Sequence, residues 1–294
     1  MRDVRVTVLG TAQDGGVPQP GCARDCCQRI RSNDALRRFP VSLGVVGKDG
    51  TTHLIEASRA MGEQFEIWHS VDPVEGAISS LCITHAHLGH VDGLGLFGKE
   101  AMGAKNLTLH CSESVAELIE SNPIWRALRE DGVIIPTAWN SNEAFEPTSG
   151  CGFTIRPVPV PHRDELSDNH AVIIEGPGLN LLFMPDHDSW GGTLCGITIR
   201  QWLSDLGVNI ALIDGTFWDG DELQHRDMDE IPHPTVSESL QRLGSREADD
   251  PDIRFLHLNH TNPLCNPSSP ELAELTAMGW GLVKEGDSFT LERL

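Results

Sequence analysis

The chain has no tyrosine, so no phenol is available as acid, base or oxyanion donor. It is also poor in cations. Its 22 Lys and Arg stand against 43 Asp and Glu, giving a formal net charge of −21. A surface of that sign repels phosphate backbones and anionic lipid, so neither nucleic acid nor a membrane is expected as a partner. The acidic residues are scattered, which reads as solvated surface. No run of about eighteen apolar residues occurs, and no membrane span is expected. The opening Met1-Arg2-Asp3-Val4-Arg5 leads into a short strand-like run without the apolar segment of an export signal, so a cytoplasmic location is expected. No internal repeat is visible.

With 294 residues, 39% of them apolar, the chain can bury one large core. It reads as a single domain over 1–294. The eight cysteines are few for this length. Without an export signal, clustered thiols point to metal ligation rather than disulfides. Three of them fall in Cys22-Ala23-Arg24-Asp25-Cys26-Cys27, at the end of a loop spanning about 14–28. Structural zinc takes four closed ligands, so a fourth must come from elsewhere. An adjacent pair such as Cys26 and Cys27 rarely supplies two ligands, which leaves one of them open as a spectator.

The strongest signal is Leu81-Cys82-Ile83-Thr84-His85-Ala86-His87-Leu88-Gly89-His90. A buried strand runs straight into three histidines. Two residues apart in extended backbone, His85 and His87 point to one side, and a turn brings His90 back to the same place. Imidazoles converging at a strand end suit zinc or a similar ion. The pattern of strand followed by ligand recurs. Phe153–Val160 leads to His162, Leu179–Met184 to Asp186, and Ile253–Leu258 contains His257. A carboxylate at the end of a buried strand is costly unless paired or on a metal. His187 and Asp188, next along, read as groups that support the ligands or meet substrate, and His170 reads as structural.

The rest of the chain alternates short strands and capped helices. Val4–Leu9 is a strand, and Val41–Val46 with Thr52–Glu56 reads as a hairpin around Lys48-Asp49-Gly50. Ser58 caps a helix to His69 with a core stripe of Met61, Phe65 and Trp68. A helix is expected from Gly93 to Ala101. Leu107–Cys111 is a strand, and Ser114 to Glu117 reads as a capping-box start. Residues 121–150 read as an irregular excursion with a short helix near Trp125–Glu130. Ile197–Leu206 is a helix and Ile210–Ile213 a strand, followed by a pocket-wall loop from Asp214 to Glu222. His225 and His233 lie in an acidic segment read as a flap. Thr235 and Ser269 start two further helices, and two short strands close the chain around Glu285-Gly286-Asp287.

The segment Thr84-His85-Ala86-His87-Leu88-Gly89-His90 resembles the His-x-His-x-Asp-His motif of the metallo-β-lactamase superfamily. Val8-Leu9-Gly10-Thr11-Ala12, Gly15-Gly16-Val17-Pro18-Gln19, the cysteine cluster, Asp214-Gly215-Thr216-Phe217-Trp218 and His257-Leu258-Asn259-His260-Thr261-Asn262-Pro263 resemble the pyrroloquinoline-quinone biosynthesis protein B family. More distantly they resemble the cyclic phosphodiesterase of phosphonate catabolism. The resemblance implies an α+β fold, a four-layer αβ/βα sandwich with metals at one edge of the sheets. It implies one metal on His85, His87 and His162, a second on His90, Asp186 and His257 with Asp186 bridging, and a structural zinc on Cys22, Cys26, Cys27 and His260. The chain departs from the motif at Gly89, where the superfamily has an Asp that serves the second metal. Either one metal suffices, or Asp92, Asp14 or His187 takes over.

The function expected from this set is hydrolysis of a small ester or phosphodiester by a metal-activated water, on zinc, manganese or iron. Asp186 would be part of the catalytic machinery, and His233 or Asp188 would protonate the leaving group. A second reading is an iron-dependent oxidative enzyme of cofactor biosynthesis, and a third is a non-catalytic protein that binds metal or a small molecule. Oligomeric state is not read from the sequence.

Overall fold

The computed structural model describes residues 2–72, 74, 77–222 and 231–292. His225 and most of the acidic flap segment lie outside the described residues. The strands are β1 (Arg5–Gly10), β2 (Ser42–Val46), β3 (Thr52–Ile55), β4 (Ser80–Cys82), β5 (Leu107–Cys111), β6 (Ile134–Ala138), β7 (Thr154–Pro159), β8 (His170–Glu175), β9 (Asn180–Met184), β10 (Ile210–Asp214), β11 (Asp252–Leu256), β12 (Gly281–Leu282) and β13 (Ser288–Thr290). The helices are α1 (Asp25–Arg31), α2 (Met61–Val71), α3 (Leu88–Val91), α4 (Glu113–Ser121), α5 (Pro123–Glu130), α6 (Trp190–Leu194), α7 (Ile199–Asp205), α8 (Val236–Leu243) and α9 (Pro270–Ala277).

Two sheets face each other. One has the order β13-β1-β2-β3-β4-β5-β6 and the other β12-β11-β10-β9-β8-β7. Alternation along each strand sends one set of side chains between the sheets and the other outward. Val172, Ile174, Leu181 and Phe183 join the inter-sheet core with Val6, Val8, Leu43 and Val45. Their neighbours Ile173, Leu182 and Met184 pack outward against Trp190, Leu203 and Leu240 of α6, α7 and α8. On the far face of the first sheet, Leu81 and Leu109 meet Met61, Trp68, Val115 and Ile119 of α2 and α4. The result is four layers, helix–sheet–sheet–helix, the metallo-β-lactamase fold. The Met61–Phe65–Trp68 stripe is core, as its spacing indicates.

Several local expectations change. Ser112, not Ser114, caps α4 by accepting a hydrogen bond from the Val115 amide. Ser58 accepts from the Ala60 amide one step before α2 rather than capping it. In place of the helix expected from Gly93 to Ala101 there is only a 3-10 turn at Leu94–Phe97, preceded by the single turn α3. The excursion after residue 121 contains α5 and also an edge strand, β6, parallel to β5. Pro136 inside that segment masks the strand in sequence, and edge position is where a strand tolerates proline. The two closing strands part company: β12 pairs with β11 and β13 with β1, in different sheets.

Strand direction places the site. β9, β10 and β11 are mutually parallel, and β7 shares their direction because β8 is antiparallel to both β7 and β9. In the first sheet β3, β4 and β5 are parallel, and β1 shares their direction through two antiparallel pairings. The carboxyl ends that carry the ligand candidates therefore gather on one edge of each sheet.

Candidate metal centre

Within that edge, metal-donor atoms of His85, His87 and His162 lie within 4.8 Å of one another, as do those of His85, His90 and Asp186, and those of His162, Asp186 and His233. The six ligand candidates are all buried. Asp186 faces both groups. Its Oδ1 is 3.7 Å from His162 Nε2, and its Oδ2 is 3.3 Å from His90 Nε2 and 3.4 Å from His257 Nε2.

Most of the rings are held by their other nitrogen. His85 Nδ1 meets Thr84 Oγ1 at 3.0 Å, His162 Nδ1 meets Asp188 Oδ1 at 3.0 Å, and His257 Nδ1 meets Thr216 Oγ1 at 2.8 Å. His90 Nδ1 lies 3.4 Å from Glu56 Oε1, a fully buried carboxylate. Such contacts fix tautomer and ring direction and raise ligand basicity. They leave His85 Nε2, His90 Nε2, His257 Nε2 and Asp186 Oδ2 buried without a hydrogen-bond partner, while His87 Nδ1 lies 3.2 Å from His162 Nε2. Buried polar atoms are normally satisfied, so four orphans converging on one space fit a bound cation. Two residues beside or among the ligands hold left-handed backbone without being glycine, Glu56 (φ 68°) and His257 (φ 62°). Strain of this kind collects at functional sites.

The electrostatics agree. Burial alone would raise the Asp186 carboxyl. His257 and His90 overcome it and hold the group well below the ordinary carboxylate range. Burial opposes charge on His233 too. Asp214, hydrogen-bonded to its Nδ1 at 2.7 Å, outweighs that and raises its pKa. Asp214 is itself fully buried and also accepts from Thr216 Oγ1 at 2.7 Å, so it steadies His233 directly and His257 through Thr216.

Asp188, a candidate proton donor, is committed elsewhere. Its Oδ1 accepts from the Arg163 amide as well as facing His162. Of the groups available to take over from the Asp absent at Gly89, Asp92 pairs with Arg59 at 2.7 Å. His187 turns its ring onto Trp190, 4.5 Å between centroids. His170 bonds Ser141 at 2.8 Å, a structural contact. Glu56 and Asp214 were not singled out as ligand supports in sequence. The signal was present, since each sits at the end of a buried strand as Asp186 does.

A second cluster forms from Cys22, Cys26, Cys27 and His260, again within 4.8 Å of one another. Cys22 Sγ and Cys26 Sγ are 3.9 Å apart, and His260 Nδ1 is 3.5 Å from Cys26 Sγ and 3.4 Å from Cys27 Sγ. Tetrahedral zinc with ordinary bond lengths has edges of about 3.5–3.8 Å. Neither adjacent cysteine is a spectator in this geometry. They open α1, where consecutive side chains differ by about 100° around the axis, and both reach His260. The Gln19 amide donates to Cys27 Sγ at 3.3 Å.

The family model for the beta-lactamase superfamily domain matches residues 51–249, and the chain belongs to the metallo-β-lactamase superfamily. Within it the chain is PqqB-like. It is 28% identical to the coenzyme PQQ synthesis protein B of Methylobacterium radiotolerans, over 98% of this chain and all of that one. The zinc-bound PqqB structure from Methylobacterium extorquens superposes with a TM-score of 0.78 at 23% identity, covering 98% of this chain and 100% of that one. A diphosphatase of the PhnP family superposes at 0.65 and 20% identity, covering 98% and 97%. The likeness to both structures is one of fold.

Proposed function

We propose that the protein is a metal-dependent hydrolase of a small ester or phosphodiester. The observation that carries this reading is the convergence of orphaned imidazole and carboxylate atoms on one space, with a raised-pKa histidine, His233, at its border. His85, His87 and His162 would hold one ion, and His90, Asp186 and His257 a second, with the two Asp186 oxygens divided between them. Zinc, manganese or iron, when bound, supplies Lewis acidity and makes water nucleophilic near neutral pH.

The chain's own groups do the rest. Asp188 holds His162 with Nε2 turned inward, and Glu56 does the same for His90. Asp214 takes the Nδ1 proton of His233 in a hydrogen bond, which leaves Nε2 to deliver a proton to a leaving oxygen. Deep burial of the site strengthens each of these contacts. The net charge of −21 favours a small substrate over a polyanion. The cysteine cluster with His260 would hold structural zinc.

The test is metal content by mass spectrometry joined to a screen of aryl and phosphate esters. His85→Ala is expected to lose active-site metal and turnover while keeping the cysteine-held zinc. His233→Gln is expected to keep metal and lose about 10²–10⁴ in turnover, the usual range for a general acid. Full turnover in both variants would sink the reading. Similarity to coenzyme PQQ synthesis protein B along the whole chain favours a second reading, oxidative chemistry in cofactor synthesis. Iron as the native metal, oxygen uptake and no ester cleavage would select it.

A further inference from the structure

The second metal position lacks the carboxylate that the histidine motif would supply at residue 89. We propose that Asp14, in the loop after β1, replaces it. This rests on the metal-centre reading above. The Asp14 carboxylate points at the second position, with Oδ1 3.7 Å from His90 Nε2 and 4.0 Å from His257 Nε2. Asp14, His90 and His257 form a donor set within 4.8 Å. His90 and His257 are the same two rings that face Asp186 Oδ2. Asp14 and Asp186 thus approach the same two imidazoles, and of these four residues all but His90 arrive from outside the histidine turn.

Gly89 and Asp14 are coupled sterically. A Cβ built on Gly89 would lie 2.2 Å from Asp14 Oδ1, 2.6 Å from its Cγ and 2.7 Å from its Cα. The last contact is to backbone, so no side-chain rotation relieves it. The Asp14 loop occupies the volume in which any side chain at position 89 would begin, and a carboxylate from either position would reach the same ion. Only one of the two can be present. Of the remaining candidates, Asp92 is engaged by Arg59, and His187 packs edge-on against Trp190 with its Nδ1 3.8 Å from Asp214 Oδ2.

The loop is also fixed where a ligand needs it. The Gln13 amide donates to the Leu258 carbonyl, beside His257, at 3.0 Å. The Gly16 amide closes the turn onto the Gln13 carbonyl at 2.8 Å. A few residues on, the chain enters the Cys22–Cys27 cluster, whose fourth donor His260 is three residues from His257. The loop is therefore tied at both ends to the segment that carries a ligand of the second metal. Residue 14 lies outside the region matched by the superfamily model, 51–249.

The experiment is reconstitution of the full chain with zinc or manganese, followed by metal counting and a competitive chelator titration. The variants are Asp14→Asn, Asp14→Ala, Gly89→Ala, Asp92→Ala and His90→Ala. Asp14→Asn and Asp14→Ala should weaken the second metal by about tenfold or more and leave the first metal and the cysteine-held zinc in place. Gly89→Ala should show the same selective loss, because its Cβ displaces the Asp14 backbone. Asp92→Ala should bind metal as the wild type does. Unchanged second-metal affinity in Asp14→Ala, with loss in His90→Ala, would overturn the role of Asp14 and leave the metal-centre reading standing. A wild-type chain that takes up metal only at the cysteines would overturn both. Apo-protein melting temperatures within a few degrees of wild type separate a lost ligand from a lost fold.

Discussion

His53 shows how a single buried group sets acid sensitivity away from the metal centre. Its Nδ1 meets Ser80 Oγ and its Nε2 meets Thr51 Oγ1, both at 2.8 Å, and Phe153 lies edge-on at 5.0 Å. Burial lowers its pKa from the ordinary 6.5 to about 4, only partly countered by Asp49. In the unfolded chain the ring takes a proton near 6.5, whereas in the folded chain it does so near 4. Between those values the unfolded state binds more protons, so stability falls as pH falls, and the contribution is complete above 6.5. The expected size is roughly 3 kcal/mol across the window. Denaturant unfolding of wild type and His53→Gln from about pH 7 to about pH 4 checks it. The variant should have the shallower pH dependence, and parallel curves would contradict the assignment. At the same scale, the ligand rings owe their direction to Asp188, Glu56 and Thr216.

Among the elements, β2 and α2 depend on an absent side chain. A Cβ at Gly44 would lie 2.4–2.6 Å from the indole carbons of Trp68, which is 1% exposed. The helix packs onto the strand only because the strand offers bare backbone there. Gly44→Ala should cost about 1–3 kcal/mol, the usual range for overpacking. Thermal unfolding reads this, and a melting temperature equal to wild type would contradict it. At the other end of the chain the elements follow their caps closely. Ser269 accepts from the Leu272 amide with Pro270 at the first helical position, and Thr235 accepts from the Glu238 amide. Those two helix starts were legible because cap and periodicity coincide. Strand β6 was not, because Pro136 and alternating exposure at an edge resemble loop composition. Helix α6 was not, because Trp190-Gly191-Gly192-Thr193-Leu194 has glycines where helix formers would stand.

For the molecule as a whole, the cysteine cluster joins the first and last thirds of the chain. Cys26 and His260 are separated by 234 positions in sequence. A metal that closes so long a loop contributes folding free energy through every residue between. Cys27→Ala, or chelation at neutral pH, should lower the melting temperature by about 5 °C or more. Calorimetry with and without added zinc checks it, and insensitivity of the wild type to chelation would contradict a structural role. Among the described residues no helix is long and apolar enough to cross a membrane.

The histidine stretch, the recurrence of a ligand after each buried strand and the thiol cluster were legible in the sequence because each is local. A strand fixes its own alternation, and a ligand one or two residues past its end is placed by backbone geometry alone. Which of these side chains meet was decided by tertiary structure. Parallel strands from two sheets had to deliver their carboxyl ends to one edge before His162, Asp186 and His257 met His85, His87 and His90. Which of the candidates Asp92, Asp14 and His187 stands against Gly89 was likewise not decided along the chain. Asp14 reaches the site from a loop 75 positions earlier, and only packing of that loop against the histidine turn makes the missing side chain and the added carboxylate one feature.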